Sequence, residues 1–249
     1  MNALQDYRRS LERSRAALEH AHRPATFRLC GREWDLLPGI FAPVYSPTTE
    51  ISMRLLGLDD PRAAGRSGSL LEIGCGTGVI AVAAALAGHA RVVAGDINEA
   101  AVRNTEMNAH RHGVADRVHS VHSDLFAALA PEERFDTVFW HSNYVLAPED
   151  YRYRTMHERG YVDPGYAAHR RFLVEAPGRL APGGSVLLHF SERGDLTALS
   201  RIAEECGRTL RVVRGGVFPE GEQEVEHMLI EVAVARGRAA RETAPGTGF

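Results

Sequence analysis

The chain has 249 residues, a formal net charge of −3, 44% hydrophobic residues and 24% charged residues. This ordinary, slightly acidic balance excludes a global basic field that would recruit nucleic acid. The sequence contains no lysine, which excludes a Schiff base, and its three scattered cysteines lack the spacing of a zinc site. We therefore expect a cytoplasmic protein without a metal and without nucleic-acid or membrane partners.

Residues 1–62 are predicted to form a small N-terminal region with a helix and a hairpin, followed by a second helix that Thr48 or Thr49 caps and that runs to Leu56. Apolar residues at helical spacing predict a helix over 2–22, which Pro24 ends. Thr26–Cys30 and Glu33–Leu37 flank a Gly-Arg pair and predict the hairpin. This region is either a lid that closes over a site or a dimerisation element, so a homodimer stays open.

Residues 63–235 alternate strand and helix patterns, which predicts an α/β domain with a mostly parallel sheet. The strand candidates are Leu70–Ile73, Arg91–Ala94, Val118–His122, Thr137–Trp140, Ser185–Phe190, Leu210–Val213 and Val225–Val234. The helical patterns cover Val79–Ala87, Glu99–His112, Leu125–Ala128, Tyr166–Leu180 and Asp195–Cys206. Gly215-Gly216 and Pro219–Glu222 predict a loop between the last two strands, hence an antiparallel final hairpin. Residues 236–249 are rich in Gly, Pro and Arg and read as a disordered tail.

The first strand of this domain runs directly into a glycine-rich turn. Gly74, Gly76 and Gly78 form a GxGxG pattern, and a helical pattern follows. Glycines let backbone amides approach a ligand, and the helix N-terminus adds partial positive charge. A dinucleotide site would carry GxGxxG, but the last of those positions is Val79. Glu72 suits a ligand with a cationic amino-acid end better than a pyrophosphate.

Acidic residues also follow the next two strands. A carboxylate at Asp96 can accept hydrogen bonds from both hydroxyls of a ribose. Asp124 can accept from an adenine amino group, with Leu125 or Phe126 packed near the ring. Open α/β sheets bind ligands at the carboxyl ends of their strands, so these residues together predict a nucleoside site.

These motifs resemble the class I S-adenosylmethionine (SAM)-dependent methyltransferases over roughly residues 36–235. More narrowly, the chain resembles the release-factor glutamine methyltransferase branch and its small-domain relatives. The resemblance is carried by Pro38–Pro43, Ser46–Glu50, Asp96–Ala109, Asp124–Phe126 and Pro182–Ser185. It implies a Rossmann-like, seven-stranded sheet with an antiparallel final strand, and SAM as cofactor. The residues that would hold SAM are Glu72, Gly74, Gly76, Gly78, Asp96, Asn98, Asp124 and Leu125.

One segment departs from that branch. The branch carries Asn/Asp-Pro-Pro-Tyr/Phe after the fourth strand of the domain, where a planar nitrogen is held for methyl transfer. Here His141 takes the first position, Ser142 and Asn143 replace both prolines, and Tyr144 keeps the aromatic ring. The altered loop argues against a glutamine or a nucleic-acid base as the acceptor.

The candidate catalytic residues are His141, Asn143 and Tyr144. In-line displacement at a sulfonium needs alignment most of all, and a base only if the acceptor must lose a proton. His141 has an ordinary pKa suited to general-base work, although it can also simply end the strand. Asn143 can orient an acceptor through its amide, and Tyr144 can wall the sulfonium through cation–π attraction. The Tyr- and Arg-rich segment Tyr144–Tyr166 can grip a polar, carboxylated substrate, or it is a packed surface segment.

We expect methyl transfer to nitrogen or oxygen of a small molecule in specialised metabolism. One alternative is a protein (glutamine-type) N-methyltransferase, which the resemblance implies. A second is a SAM-consuming cyclase that releases methylthioadenosine, and a third is a non-catalytic SAM-binding protein. Val79 and Glu72 disfavour a NAD-dependent oxidoreductase.

Overall fold

The computed structural model describes residues 5–60 and 65–234. The helices are α1 (Tyr7–Glu19), α2 (Thr48–Leu56), α3 (Val79–Leu86), α4 (Glu99–Arg111), α5 (Ala167–Glu175) and α6 (Leu196–Glu205). The strands are β1 (Thr26–Leu29), β2 (Arg32–Asp35), β3 (Ser69–Ile73), β4 (Arg91–Asp96), β5 (Val118–His122), β6 (Phe135–His141), β7 (Leu146–Ala147), β8 (Asp163–Pro164), β9 (Leu180–Ser191), β10 (Arg208–Glu220) and β11 (Gln223–Val234).

A seven-stranded sheet in the order β10-β11-β9-β6-β3-β4-β5 organises the molecule. The pairs among β9, β6, β3, β4 and β5 are parallel, whereas β11 runs antiparallel to both β9 and β10. The predicted fold class is therefore confirmed. β3 and β4 lie in the middle of the sheet and are almost wholly buried, as expected of apolar strands covered on both faces.

Two hydrophobic clusters cover the two faces of the sheet. Leu70 and Phe139 belong to one cluster, and Leu71 and Val138 belong to the other, because successive side chains of a strand point to opposite faces. The first cluster includes α2, α3 and the β1–β2 hairpin, in which Trp34 is fully buried. The second includes α5, α6 and the segment between β6 and α5.

The N-terminal elements follow the predicted order with a shorter helix. α1 begins after Asp6, whose side chain accepts a hydrogen bond from the Arg8 amide, and it ends at Glu19, before the expected stop at Pro24. The predicted hairpin is present as β1 and β2. The start of the predicted helix, part of the boundary near residue 62 and the tail 236–249 lie outside the described residues. The division into 1–62 and 63–235 stays a prediction.

Two local predictions are wrong. Leu125–Ala128 forms turns instead of a helix, because Leu125 has a left-handed φ of 53° that breaks the helical path. The loop expected at Gly215-Gly216 is instead part of β10, which runs to Glu220. The pairing register shifts between Val212 and Arg214, and Gly215 and Gly216 pair with Met228 and His227. A turn at Gly221-Glu222 joins the two long strands.

Candidate active site

A cavity of about 960 Å³ opens at the carboxyl ends of β3, β4 and β6. Its walls come from these strand ends, from α1, from the segment before α2, and from the tip of the β10–β11 hairpin. The sequence-predicted site residues that line it are Glu72, Gly74, Gly76, Asp96, Asn98, Asp124, Leu125, His141, Asn143 and Tyr144. The topology thus brings together ten side chains or backbone positions that lie far apart in sequence.

Gly74, Gly76 and Gly78 share one backbone conformation, but their surroundings differ. All three have left-handed φ angles, which glycine adopts without steric cost. A Cβ on Gly76 would meet nothing within 4 Å and would project into open space, so this glycine keeps the cavity accessible. A Cβ on Gly78 would lie 2.7 Å from Oγ1 of Thr105, so Gly78 allows α3 and α4 to pack closely. Gly78 is the predicted site residue that does not line the cavity.

Asp96 is held by two backbone amides at the end of β4. Its Oδ2 accepts from the Gly76 amide at 2.9 Å, and its Oδ1 accepts from the Asn98 amide at 2.8 Å. Burial raises the pKa of Asp96, against these amide hydrogen bonds, which lower it. A carboxylate offers about four acceptor positions, so both oxygens can still accept from ribose hydroxyls.

Asn98 contributes to this site through backbone geometry. Its Oδ1 caps α4 by accepting from the Ala100 amide at 3.0 Å. Its Nδ2 donates to the Gly39 carbonyl oxygen at 3.2 Å, which ties α4 to the chain ahead of α2. Both polar groups of the Asn98 side chain are therefore used in hydrogen bonds within the protein. These bonds position the Asn98 backbone amide, which donates to Asp96.

Glu72 is a buried carboxyl group with an unsatisfied oxygen. The residue is 2% exposed, and its Oε2 has no hydrogen-bond partner within the described part of the chain. Burial raises the pKa of Glu72 well above its usual range. Buried polar atoms are normally paired, so this orphan acceptor fits a ligand that brings its own donor. The α-amino group of SAM is such a donor.

Asp124 and Leu125 line the part of the cavity that follows β5, where the sequence predicts the adenine. Both carboxylate oxygens of Asp124 accept from Nη1 of Arg171, at 3.0 and 2.9 Å, and the pair is about half exposed. An adenine amino group would have to share this carboxylate with Arg171. The left-handed backbone at Leu125 turns the chain around the cavity edge, and its contact with adenine remains a prediction.

Asn143 lines the cavity and is anchored through its side-chain nitrogen. Its Nδ2 donates to the carbonyl oxygens of Arg159 and Val162, both at 2.8 Å. These two acceptors determine which way the amide group faces. Its Oδ1 is buried and has no partner among the described residues. The side chain is thus anchored through its nitrogen and free at its oxygen, which suits it to accept an N–H from an acceptor group.

His141 and Tyr144 are surrounded by other rings. The His141 ring stacks on His189 with a centroid distance of 4.6 Å, and Tyr144 packs edge-on against His227 and Phe190. Burial, followed by the charge of His227, lowers the pKa of His141 to about 3. The predicted role of general base is disfavoured, because so weak a base binds a proton poorly near neutral pH. Burial raises the pKa of Tyr144, which keeps its phenol neutral.

Two further histidines are buried near the site: His157 in the segment between β6 and α5, and His169 in α5. Nδ1 of His157 hydrogen-bonds Oγ of Ser14 on α1 at 2.8 Å, and His157 lines the cavity. Nδ1 of His169 lies 2.7 Å from Oδ2 of Asp163 beneath the Trp140 ring, and His169 does not line the cavity. His157 therefore joins α1 to the site, and His169 supports its floor.

Sequence reasoning missed one set of charged residues. Arg13 of α1, Arg193 after β9, and Glu220 with Gln223 at the hairpin tip all line the acceptor side of the cavity. Their polar character is the only local sign of a functional role, because the sequence pattern predicts a loop at Glu220. Their meeting depends on strand pairing, because Arg193 and Glu220 are 27 residues apart and Nε of Arg193 donates to Oε2 of Glu220 at 2.8 Å.

The sequence is similar to that of known methyltransferases. The family described as ribosomal protein L11 methyltransferase (PrmA) matches residues 44–144. A release factor glutamine methyltransferase of Bordetella pertussis is 34% identical over 187 residues, covering 70% of this chain and 67% of that protein. The chain belongs to the release-factor glutamine methyltransferase branch of the class I methyltransferases. It is therefore a SAM-dependent methyltransferase.

Further relatives define the limits of the similarity. A ribosomal protein L11 methyltransferase of Pelotomaculum thermopropionicum is 34% identical over 154 residues, covering 61% of this chain and 41% of that protein. The chain spans 57% to 67% of the length of three bacterial release factor glutamine methyltransferases. The fold matches that of a 16S rRNA N2 G1207 methyltransferase of T. thermophilus, solved with AdoMet and guanosine, with a TM-score of 0.54, 22% identity and coverage of 86% and 50%.

The expected small-molecule acceptor is wrong. The relatives are named for methylation of release factors and of ribosomal protein L11, which are proteins. The replacement of both prolines in the loop His141–Tyr144 does not alter this conclusion, because Asn143 still lines the cavity and its buried Oδ1 has no partner among the described residues. Across residues 5–60 and 65–234, the helices are all too short or too polar to cross a membrane.

Proposed function

We propose that this enzyme methylates the amide nitrogen of a glutamine side chain in a protein. The observation that carries the proposal is the geometry of Asn143, which lines the cavity, is anchored through Nδ2 and has a buried Oδ1 without a partner in the described chain. A primary amide has two N–H donors, and one of them can bind this oxygen. The names of the glutamine methyltransferases that resemble this chain support the same acceptor.

Orientation is the main contribution of the protein to this reaction. Transfer from the SAM sulfonium forms an N–C bond, breaks an S–C bond, and releases one proton from the acceptor nitrogen. Asn143 would accept one N–H and hold the amide plane, while the neutral Tyr144 phenol ring walls the site beside it. Holding reactants in line can contribute several kcal/mol to lowering a barrier, on the order of 7–11 kcal/mol in the best cases.

The nucleoside side of the cavity suits SAM through three carboxyl groups. Asp96 would accept from the ribose hydroxyls, Glu72 from the α-amino group, and Asp124 from the adenine amino group. Gly74 and Gly76 would let the ligand pass close to the loop, and Leu125 would pack near the adenine. Binding of a cationic sulfonium ligand would favour the ionised forms of Glu72 and Asp96, which burial alone disfavours.

The proposal is tested by giving the enzyme methyl-labelled SAM together with a full-length bacterial release factor. We expect label in the release factor, and Asn143→Ala should lower kcat/KM for it by about 10- to 100-fold, the range of about 1–3 kcal/mol for a lost buried hydrogen bond. The affinity for SAM should stay unchanged in this variant. Label that enters no protein, or an Asn143→Ala variant of full activity, would contradict the proposal.

Ribosomal protein L11 is the second candidate substrate, because the L11 methyltransferase family matches residues 44–144. The same assay with L11 in place of the release factor separates the two. Label in L11 alone would favour this second candidate. Because release factors and L11 both act in translation, we also propose that the reaction takes place in the cytoplasm.

A further inference from the structure

Trp140 lies near the end of β6, beside the glycine-rich loop, and lines the cavity. In the parallel register of β3 and β6 it pairs with Ile73, the residue before the first glycine of the loop. A Cβ on Gly74 would lie 3.5 Å from Nε1 of Trp140, so the nitrogen edge of the indole ring lies against the start of the loop. The side chain is therefore close to the strand ends at which we place SAM.

The indole N–H of Trp140 is a donor without a partner. Nε1 makes no hydrogen bond to any described residue and is not fully enclosed by protein, so it is accessible from the cavity, although the residue is only 5% exposed. The indole N–H of a buried tryptophan usually finds an acceptor, as in Trp34, whose Nε1 donates to the Leu29 carbonyl oxygen at 3.2 Å. The free N–H of Trp140 fits a ligand that brings its own acceptor.

The glycine-rich loop has few amides left for an anionic group. Of the five amides in residues 74–78, those of residues 74, 75, 76 and 78 donate to the Gly95 and Cys75 carbonyl oxygens and to the Asp96 carboxylate. The Thr77 amide is the one without a partner in the described part of the chain. A carboxylate offers about four acceptor positions, so the α-carboxylate of SAM needs donors outside this loop.

Glu72 and Trp140 reach the cavity from opposite faces of the sheet. Successive side chains of a strand alternate between faces, and Trp140 belongs to the hydrophobic cluster that contains Leu71, the neighbour of Glu72. The α-carbon of SAM bears both an amino group and a carboxylate. A ligand that spans the strand ends can therefore place the amino group at Glu72 and the carboxylate at Trp140.

Buried groups from α5 and β8 fix the position of the indole ring. The centroids of the His169 and Phe172 rings lie 4.6 and 5.1 Å from that of Trp140. Nδ1 of His169 lies 2.7 Å from Oδ2 of Asp163, and both of these side chains are almost wholly buried. A donor that is fixed before the ligand arrives costs little ordering on binding.

We propose that the indole N–H of Trp140 donates a hydrogen bond to the α-carboxylate of SAM. This inference goes beyond the proposed function because it does not depend on the acceptor of the methyl group, and it rests only on the proposed placement of the α-amino group at Glu72. Hydrogen bonds to an ionised group are roughly twice as strong as those between neutral groups. Trp140 thus becomes a specificity-determining residue, which distinguishes SAM from ligands that lack the carboxylate.

The test compares SAM with decarboxylated SAM, which keeps the amine, the sulfonium and the nucleoside, by titration calorimetry of the full-length enzyme. Trp140→Phe keeps an aromatic ring but removes the N–H. It should weaken the binding of SAM at least about tenfold and change the affinity for decarboxylated SAM by less than about threefold. Glu72→Gln should weaken the binding of both ligands, so an error in the placement of the amino group is recognised separately.

Trp34→Phe is the matched control, because it removes the same kind of N–H at a site that does not line the cavity. Its affinities for both ligands should equal those of the unsubstituted enzyme. In Trp140→Phe, an equal loss of affinity for both ligands, or no loss for SAM, would overturn the proposal. A release factor that receives no methyl group would overturn the proposed function and leave this binding experiment unaffected.

Nuclear magnetic resonance of the isotope-labelled indole groups provides a measurement that needs no substitution at Trp140. The sequence contains two tryptophans, so two indole N–H signals are expected, and Trp34→Phe assigns them. SAM should move the proton signal of Trp140 downfield, as a hydrogen bond to a carboxylate does, whereas decarboxylated SAM should not. The same Trp140 signal with both ligands would overturn the proposal, even if Trp140→Phe fails to fold.

Discussion

At the scale of single residues, the side chains of Asp96 and Asn143 are both fixed by hydrogen bonds to the backbone. Each side chain lines the cavity, is held by backbone groups and keeps unused acceptor capacity. Asp96 is held by the amides of Gly76 and Asn98, and Asn143 by the carbonyl oxygens of Arg159 and Val162. Groups fixed in this way do not need to reorganise when a ligand arrives.

Asp96→Asn should weaken SAM binding by at least about tenfold, because the amide that replaces one oxygen would face an N–H donor. Isothermal titration of the purified variant with SAM measures this change. Asp136→Asn is a suitable control, since Oδ2 of Asp136 also accepts two hydrogen bonds, from the Ser69 amide and hydroxyl, but lies outside the cavity. An unchanged affinity of Asp96→Asn for SAM would remove Asp96 from the ribose site.

At the scale of elements, α1 is attached to the molecule by polar contacts. Its buried residues are Ser10, Ser14 and Ala17, and the two serines bond the Tyr161 carbonyl oxygen and His157. In α3, by contrast, seven of eight residues are buried. Elements with few buried apolar contacts open at a lower free energy than the core.

Hydrogen exchange should therefore be faster in α1 than in α3 for the enzyme without ligands. Binding of S-adenosylhomocysteine together with a glutamine peptide should slow exchange in α1, since this helix lines the cavity. Mass spectrometry of deuterated peptic fragments measures both helices in one experiment. Equal protection of α1 and α3 without ligands would mean that α1 is a permanent wall of the site.

The elements also explain which parts of the site could be predicted from sequence. The glycine loop, Glu72 and Asp96 follow directly from local patterns, because each lies at the end of a short apolar strand. The meeting of Arg13, Arg193 and Glu220 in the cavity wall depends on α1 and on the full length of β10, which local patterns do not reveal. Glycines at 215 and 216 favoured a loop, whereas strand pairing with β11 overrides that local preference.

Leu125 illustrates the same limit at a turn. Its helical pattern is local, but its φ of 53° is a conformation that sequence rules assign to glycine or asparagine. The turn is stabilised by Ser123, whose hydroxyl donates to the Leu125 carbonyl oxygen at 2.9 Å and accepts from the Ala128 amide at 3.1 Å. Contacts of this kind are specific to the folded chain, so apolar spacing does not predict them.

At the scale of the whole molecule, buried neutral histidines couple stability to pH. Burial lowers the pKa of His141 to about 3 and that of His157 to about 4, and the pKa of His189 lies well below 6.5. Between these values and the ordinary pKa near 6.5, the unfolded chain binds protons that the folded protein does not. Stability is therefore complete above about pH 6.5 and falls as the pH drops through this window.

Between about pH 7.5 and pH 5.5 we expect each buried histidine to lower the free energy of unfolding in urea by about 1 kcal/mol. Glu72 partly offsets this fall, because its raised pKa favours the folded state as the pH drops. His157→Gln can keep a hydrogen bond to Ser14 but cannot be protonated. The free energy of unfolding of this variant should therefore fall less steeply with decreasing pH, by the contribution of one histidine. A pH dependence of His157→Gln that equals that of the unsubstituted enzyme would contradict the burial of a neutral His157.

Glutamine as the acceptor is tested most directly by locating the methyl group on the product. A full-length release factor is incubated with the enzyme and SAM, digested, and sequenced by tandem mass spectrometry, while S-adenosylhomocysteine is measured in the same reaction. We expect one added methyl group on a glutamine side-chain nitrogen, in equal amount to S-adenosylhomocysteine. A methyl group on a lysine amine or a backbone nitrogen, or methylthioadenosine formed without a methylated protein, would contradict glutamine as the acceptor.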